Sequence, residues 1–508
     1  MSSGARDATS PRRSVWPLAL LVGVIALLTP VLALATDGNA AVVIVPVLAI
    51  GLVYLLWNVP LRYPALVLLF LGLTVESPDD PFASKHWETP LHTVRAFLWE
   101  RWNILLPVPP LVFSGMDLML VLLIAIGLHR RATGSRIDGK GIVETASPIL
   151  FFSAVAVVGA LLGEAYGVAR GGSTRYAFVL VQHTAYQALY VFLFHHALRG
   201  PQDHPAIAKV IIWAACIRAA FAFGIRNLVT PNDIEAMPTA TTHPDSLLFA
   251  SAFCLCLVLA VEFRDKKRLK LCALVLPILT LGMIANNRRL VWVAFGQAMV
   301  TIYLLLPRSR MKRKFQRTLL FIAPLFALYL MAGWNSQGGK LFAMARTTRS
   351  IFDSKSDGST QWRDNENFDL VATFQSSPVL GVGYGNPFLQ PIDVAGDIAL
   401  YEQERYQPHN SVLGLWAFGG MVGFSLVFMI FVVGAFFAVR CYRRATEPAN
   451  RAAALTATGV FVANLALCYG DVGYGTWVAG ALGALSLVVV GKLALVTEAW
   501  PSKVRTSP

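Results

Sequence analysis

Apolar stretches of about 18 to 22 residues recur along this chain, and each is long enough for a helix to cross a hydrocarbon layer about 30 Å thick. Candidate spans fall at 15–35, 40–57, 61–76, 110–128, 146–163, 176–197, 206–224, 246–263, 269–285, 289–306, 318–333, 411–438, 452–470 and 474–496, the third being short. No water is present in hydrocarbon to satisfy backbone N–H and C=O groups, so each segment must satisfy its own as a helix. The spans therefore predict an all-α polytopic membrane protein of about 14 transmembrane helices. A mean hydropathy of +0.57, with only 14% charged residues, excludes an ordinary soluble domain.

The net charge of +14 lies in the connections between spans, which excludes nucleic acid as its explanation. The clusters "HRRATGSR", "RDKKRLK", "PRSRMKRKFQR" and "RCYRR" follow alternate spans, as the positive-inside rule requires. Both termini are therefore expected in the cytoplasm. Arg6, Arg12 and Arg13 precede an apolar run ending "LALA", but 15–35 is longer than a signal-peptide core, so an uncleaved first helix is expected. All six cysteines lie in or beside apolar segments, a placement that predicts packing rather than disulfides or thiolate metal sites.

Between Lys270 and Arg308, both cytoplasmic by this reading, there is chain for two helices, so the fold-back at "NNRR" (286–289) points outward. The same parity sends 334–410 outside. This connection is far longer than usual, rich in aromatics and free of low-complexity sequence, so it is expected to be folded. The chain accordingly divides into N-terminal spans (1–245), spans that include the arginine hairpin (246–333), a large external loop (334–410) and C-terminal spans (411–508). Residues 77–109 predict a helix lying in the interface, and "RNLVTPNDIEAMPTATTHPDS" predicts a short turn.

The external arginines of the hairpin and the large loop are Arg288, Arg289, Arg346, Arg349, Arg363 and Arg405. A guanidinium stays charged and offers a fork of donors that matches phosphate oxygens, so these residues are suited to a diphosphate. Headgroup snorkelling is the competing reading and fits Arg346 and Arg349 best. "GVGYGNPF" lacks the features of a nucleotide loop and predicts a glycine-dependent turn against other backbone. His409 stands just before the long helix from 411, where it is either an interfacial imidazole or a proton acceptor. No paired His and carboxylate at ligand spacing lies outside, which points away from a metal.

At these residues the sequence resembles the bacterial O-antigen ligase and polymerase superfamily, inner-membrane enzymes that assemble surface polysaccharides. "NNRRLVWVAF" resembles the family's outward Arg opening a helix, and it maps onto Arg289 and Trp292. "QWRDNENFDLVATFQSSPVLGVGYGNPF" resembles the loop of Arg, amphipathic helix, Pro and G-x-G-x-G, and it maps onto Arg363, Pro378, Gly381, Gly383 and Gly385. "HNSVLGLWAFGGMVGF" resembles the family's His-Asn before a glycine-rich helix, and it maps onto His409, Asn410, Gly420 and Gly423. The resemblance implies a C-type glycosyltransferase-like fold and cofactor-free, metal-independent transfer from an undecaprenyl-diphosphate-linked oligosaccharide. In that scheme His409, Arg289 and Arg363 carry the chemistry, while Arg288, Arg405, Asn410, Gly381, Gly383 and Tyr384 bind substrate. The acceptor is another lipid-linked repeat unit if the enzyme is a polymerase, or a lipid A core or protein if it is a ligase. The extra spans favour a polymerase, working with a flippase and a chain-length regulator. A glycolipid or solute transporter is the rival of a different class, but no internal repeat or mid-membrane polar group supports it.

Overall fold

A computed structural model of the chain describes residues 50–75, 91–100, 113–229, 240–336, 358–392 and 405–501, apart from 136, 139, 140, 264 and 309, together with a few isolated positions. In order, the helices are α1 (Arg62–Thr74), α2 (His92–Trp99), α3 (Gly115–Thr133), α4 (Ser147–Ala169), α5 (Thr174–Ala197), α6 (His204–Gly224) and α7 (His243–Phe263). Then follow α8 (Lys266–Asn286), α9 (Arg289–Leu305), α10 (Arg310–Gly333), α11 (Gly358–Ser376), α12 (Ser411–Arg444), α13 (Pro448–Gly470) and α14 (Trp477–Val496). The described residues contain no strand.

Eight of these helices are long and apolar enough to cross a membrane, which makes the chain a polytopic membrane protein. Segments Arg62–Thr74, Arg289–Leu305 and Leu320–Gly333 are apolar but shorter. The expected span 15–35 lies outside the described residues apart from isolated helical positions, and 40–57 is described only from residue 50. From 146 onward each expected span coincides with an observed helix, the ends agreeing to within six residues except for α10, which begins at Arg310 rather than 318. Of the expected interfacial segment 77–109, the described part is the eight-residue α2.

Helix α13 is the hub and packs against α7, α9, α12 and α14. Small residues allow this: Ala452, Ala454, Ala457, Gly459, Ala463 and Ala466 are all buried along it. Helix α12 in turn packs on α4, and α6 on α8.

At 34 residues α12 would measure about 51 Å if it were one straight helix, well beyond a hydrocarbon core. It is broken at Gly420, whose φ of 57° and ψ of −164° are non-helical. The break would orphan the carbonyls of Ala417 and Phe418 and the amides of Met421 and Val422. The loop after α11 takes up all four. Val382 N donates to Ala417 O (3.0 Å) and Gly383 N to Phe418 O (2.9 Å), while Met421 N donates to Pro378 O (2.9 Å) and Val422 N to Val379 O (3.1 Å). Each such group left unpaired in hydrocarbon would cost several kcal/mol, so break and loop depend on each other.

The opposite end of the bundle is closed by buried cations held by several acceptors each. Arg130, 4% exposed, donates to Asp138 (2.7 Å) and to the carbonyls of Leu56 (3.0 Å), Trp57 (3.0 Å) and Val59 (2.8 Å). Lys492, 1% exposed, donates to Val143 O (2.5 Å) and to His195 O (2.9 Å), one of the terminal carbonyls of α5.

Candidate functional site

The other end gathers the hairpin between α8 and α9, the helix α11, the start of α12 and the turn between α13 and α14. The hairpin tip is built on Asn286, which is fully buried. Its Nδ2 donates to Ser246 Oγ (2.9 Å), and its Oδ1 accepts from Thr241 Oγ1 (2.9 Å). Asn287 then reverses the chain with a φ of 53°, a left-handed conformation that asparagine tolerates better than most residues. Beneath the tip, Asp245 accepts from Arg218 Nε (2.8 Å) and Nη2 (2.5 Å) and from Thr242 N (3.0 Å), a buried ion pair whose remaining valences are hydrogen-bonded.

The two arginines of the tip diverge. Arg288 caps α9 and sends Nε to Thr241 O (2.9 Å). Arg289 opens α9 and reaches α11, where its Nη1 donates to Thr360 Oγ1.

Helix α11 buries a polar face. Glu366, Asp369, Leu370 and Thr373 share one side of it by their spacing and are all buried, whereas Phe368 and Val371 are exposed. The helix thus turns two carboxylates and a hydroxyl inward beside Leu370, while its exposed residues mix Gln361, Asp364 and Gln375 with Phe368 and Val371. Thr373 Oγ1 accepts from Leu389 N (2.8 Å) and Asp369 Oδ1 from Ile392 N (3.2 Å), which anchors the following loop.

The His409-Asn410 pair is read in register by α11. His409 N donates to Glu366 Oε1 (3.0 Å), and Asn410 Nδ2 donates to Asn367 Oδ1 (2.9 Å). The His409 ring places Nδ1 3.4 Å from the same Glu366 oxygen and stands edge-on to Trp362 at 4.5 Å. Asn410 is the N-cap of α12, with Oδ1 accepting from Leu413 N (3.0 Å), and it is 2% exposed. Its amide is thereby used in positioning the helix that carries His409.

Arg363, one turn from Glu366, donates to Gly470 O at the end of α13 and lies 4.0 Å from Asp471 Oδ1. The other oxygen of Asp471 is 3.2 Å from His243 Nδ1. The charges of Arg288, Arg363, His409 and Arg289 all act on His243, so the two loops and α11 form one electrostatic unit. Burial pushes the Asp471 carboxyl up from the usual aspartate range, and Arg363 and His409 oppose this. Burial of the His409 ring works against protonation. The hydrogen bond and charge of Glu366, helped by Asp471, outweigh it and hold the imidazole above its ordinary value, with Arg363 opposing.

The glycine loop lies on the other side of this wall. Gly381 and Gly383 have φ of 69° and 89°. A Cβ on Gly383 would fall 2.4 Å from Gly167 Cα of α4, and one on Gly420 would fall 2.4 Å from the Val379 carbonyl. Tyr384 is 1% exposed, its N donates to Gly163 O (3.2 Å), and its hydroxyl has no hydrogen-bond partner among the described residues. It lines a small pocket of about 30 Å³ with Leu180, His183, Leu415, Phe418 and Tyr474. Arg405 is exposed, and its carbonyl accepts from Phe388 N (3.1 Å). Arg349 Nη1 donates to Trp334 O (3.2 Å), away from this cluster.

The structure therefore brings His409, Arg289 and Arg363 around α11, with Arg288 beside them, and sets Gly381, Gly383 and Tyr384 in the supporting loop. Sequence reasoning assigns no role to Asp471, His243 or Glu366. A signal existed for each: all three lie on connections that share His409's side of the membrane by span parity. Among the described residues, no three His, Cys, Asp or Glu side chains converge as a metal site would require. Residues 272–428 match the family described as O-antigen ligase, which supports the superfamily resemblance over the hairpin, α11, the glycine loop and the first part of α12. No curated protein matches the chain in sequence.

Proposed function

We propose that this chain is a metal-independent membrane glycosyltransferase that moves a glycan from an undecaprenyl-diphosphate carrier to an acceptor hydroxyl at the external face of the bacterial inner membrane. The observation that carries the reading is the placement of Arg289, Arg363 and His409 around one short helix at the end of a membrane bundle. A nucleotide-sugar pool is absent outside the cytoplasm, so the donor arrives on lipid and its leaving group is a diphosphate at headgroup depth. The acceptor oxygen attacks the anomeric carbon as His409 takes its proton, and the glycosidic C–O bond to the diphosphate breaks with the electron pair going to oxygen. Arg289 and Arg363, with Arg288 beside them, neutralise the charge that develops there, usually the largest catalytic contribution.

The acceptor is another lipid-linked repeat unit, so the enzyme is a polymerase of O-antigen or exopolysaccharide, acting between a flippase and a chain-length regulator. The number of apolar spans in the sequence supports this. The family description favours a second reading, ligation to a lipid A core or protein. Deleting the gene and separating surface glycans by electrophoresis distinguishes them. Collapse of the ladder to a single repeat supports the polymerase, and full-length glycan stranded on its lipid carrier supports the ligase. An unchanged surface glycan profile would overturn both.

A further inference from the structure

We propose that Glu366 is the positioning residue for His409, holding its imidazole so that Nδ1 carries the proton and Nε2 faces the acceptor hydroxyl. The assignment rests on the glycosyl-transfer reading above and deepens it. One carboxylate oxygen of Glu366 meets His409 twice, at the backbone N (3.0 Å) and at Nδ1 (3.4 Å). That oxygen can only accept, so the neutral imidazole it faces is the tautomer with the proton on Nδ1, and the lone pair falls on Nε2. Trp362 closes the ring's edge at 4.5 Å, and the Asn367–Asn410 bond one residue along stops the His409 segment from sliding. The ring is thus held by Glu366 and Trp362, with Asn367 fixing the next residue, while the His409 side chain keeps 26% of its surface open.

Glu366 is itself 2% exposed, and its second oxygen has no hydrogen-bond partner among the described residues. A carboxylate buried for helix packing alone would be costly, since removing a charge from water must be repaid by partners. The partner that it has is His409. The histidine's other charged neighbours are Arg363 on α11 and Asp471 after α13, with His243 of α7 behind Asp471.

In the general scheme, proton transfer from the acceptor to Nε2 makes an imidazolium. Glu366 then stabilises the new charge and gives it up when the proton leaves to solvent. Without the carboxylate the imidazole is free to take the other tautomer, in which Nε2 bears hydrogen and cannot accept a proton.

The test compares wild type with Glu366→Gln and Glu366→Asp in purified, lipid-reconstituted enzyme. Glutamine keeps an oxygen for the His409 backbone N–H and removes only the charge, so the fold is retained. The first readout needs no turnover: carbethoxylation of His409 by diethyl pyrocarbonate, followed across pH by peptide mass spectrometry, reports where the imidazole deprotonates. The midpoint should lie above 6.5 in wild type, fall in Glu366→Gln and return toward the wild-type value in Glu366→Asp. The second readout is transfer from a polyprenyl-diphosphate-linked oligosaccharide. Here kcat of Glu366→Gln should fall at least about 10-fold with KM little changed, and its acid limb should move to lower pH. Equal midpoints in wild type and Glu366→Gln would overturn the assignment whatever the enzyme does. A shifted midpoint in a protein that transfers no glycan would uphold the contact and overturn the reaction.

Discussion

The two ends of this bundle both gather arginine, histidine and carboxylates, and they treat them in opposite ways. At one end Arg130 spends its donors on three carbonyls and Asp138, and Lys492 is sealed against two carbonyls. At the other, Arg363 and His409 keep 27% and 26% of their side-chain surfaces open, and their partners sit on one side only. A cation buried against several acceptors of the chain holds elements together. One that is fixed from behind and open in front can still meet a ligand. The contrast shows that burial and the number of donors used separate structural cations from candidate catalytic ones better than charge or sequence position does.

The largest expected effect tests the open end. His409→Ala and Arg363→Ala should each lower glycan transfer by roughly 10²- to 10⁴-fold while the protein inserts at wild-type levels. The double variant should be no worse than the worse single, because groups acting as one unit are not additive. Near-normal surface polymer from His409→Ala at native expression would erase the contrast.

Next in size, Arg130→Ala should lower stability by about 3 kcal/mol, the low end for breaking a buried pair because Asp138 is 15% exposed. Thermal unfolding in detergent measures it, and transfer per folded molecule should be unchanged. If activity per folded molecule fell instead, the closed end would have a catalytic role.

An intermediate effect is expected for Gly383→Ala, which puts a Cβ on the α4 backbone and strains a φ of 89°. It should undock the glycine loop from the α12 break, cutting transfer about 10-fold with a lower melting temperature. The wild-type pH profile is a smaller effect. Because the His409 imidazole is held above its ordinary value, activity should be full above that value and fall as pH drops through it, with the acid limb starting above 6.5. An acid limb well below 6.5 would remove His409 as the base. Smallest of all, Arg405→Ala, at an exposed side chain, should change transfer less than about 3-fold, and excess chelator should change it not at all. Activity lost to chelator and restored by one divalent ion would sink the arginine-based mechanism.

Span positions were legible because a membrane helix must be both apolar and long, and both properties are local. The ends of α4, α5, α8 and α9 accordingly fall within six residues of their expected limits. The outward face of α11 was not legible, since its buried residues are Glu366, Asp369 and Thr373 and its exposed ones include Phe368 and Val371. Hydropathy alone does not say which side of such a helix faces inward. The break at Gly420 was equally hidden: a glycine in an apolar run of 34 residues reads as a packing residue until the loop at 378–383 is seen replacing its hydrogen bonds.

By itself, the sequence determined that the chain is a polytopic helical membrane protein and where the helices from 146 onward fall, and span parity put His409, Arg289 and Arg363 on connections expected to share a side. These follow from chain length, hydropathy and charge, quantities that each segment carries alone. Only the tertiary structure decided that Arg289 meets α11 while Arg288 turns to Thr241, that Asn410 is spent as a helix cap, and that Glu366, Asp471 and His243 join the cluster. Those outcomes depend on pairs separated by tens to hundreds of residues. The pairing is set by packing around α13, and no local property of either partner encodes it.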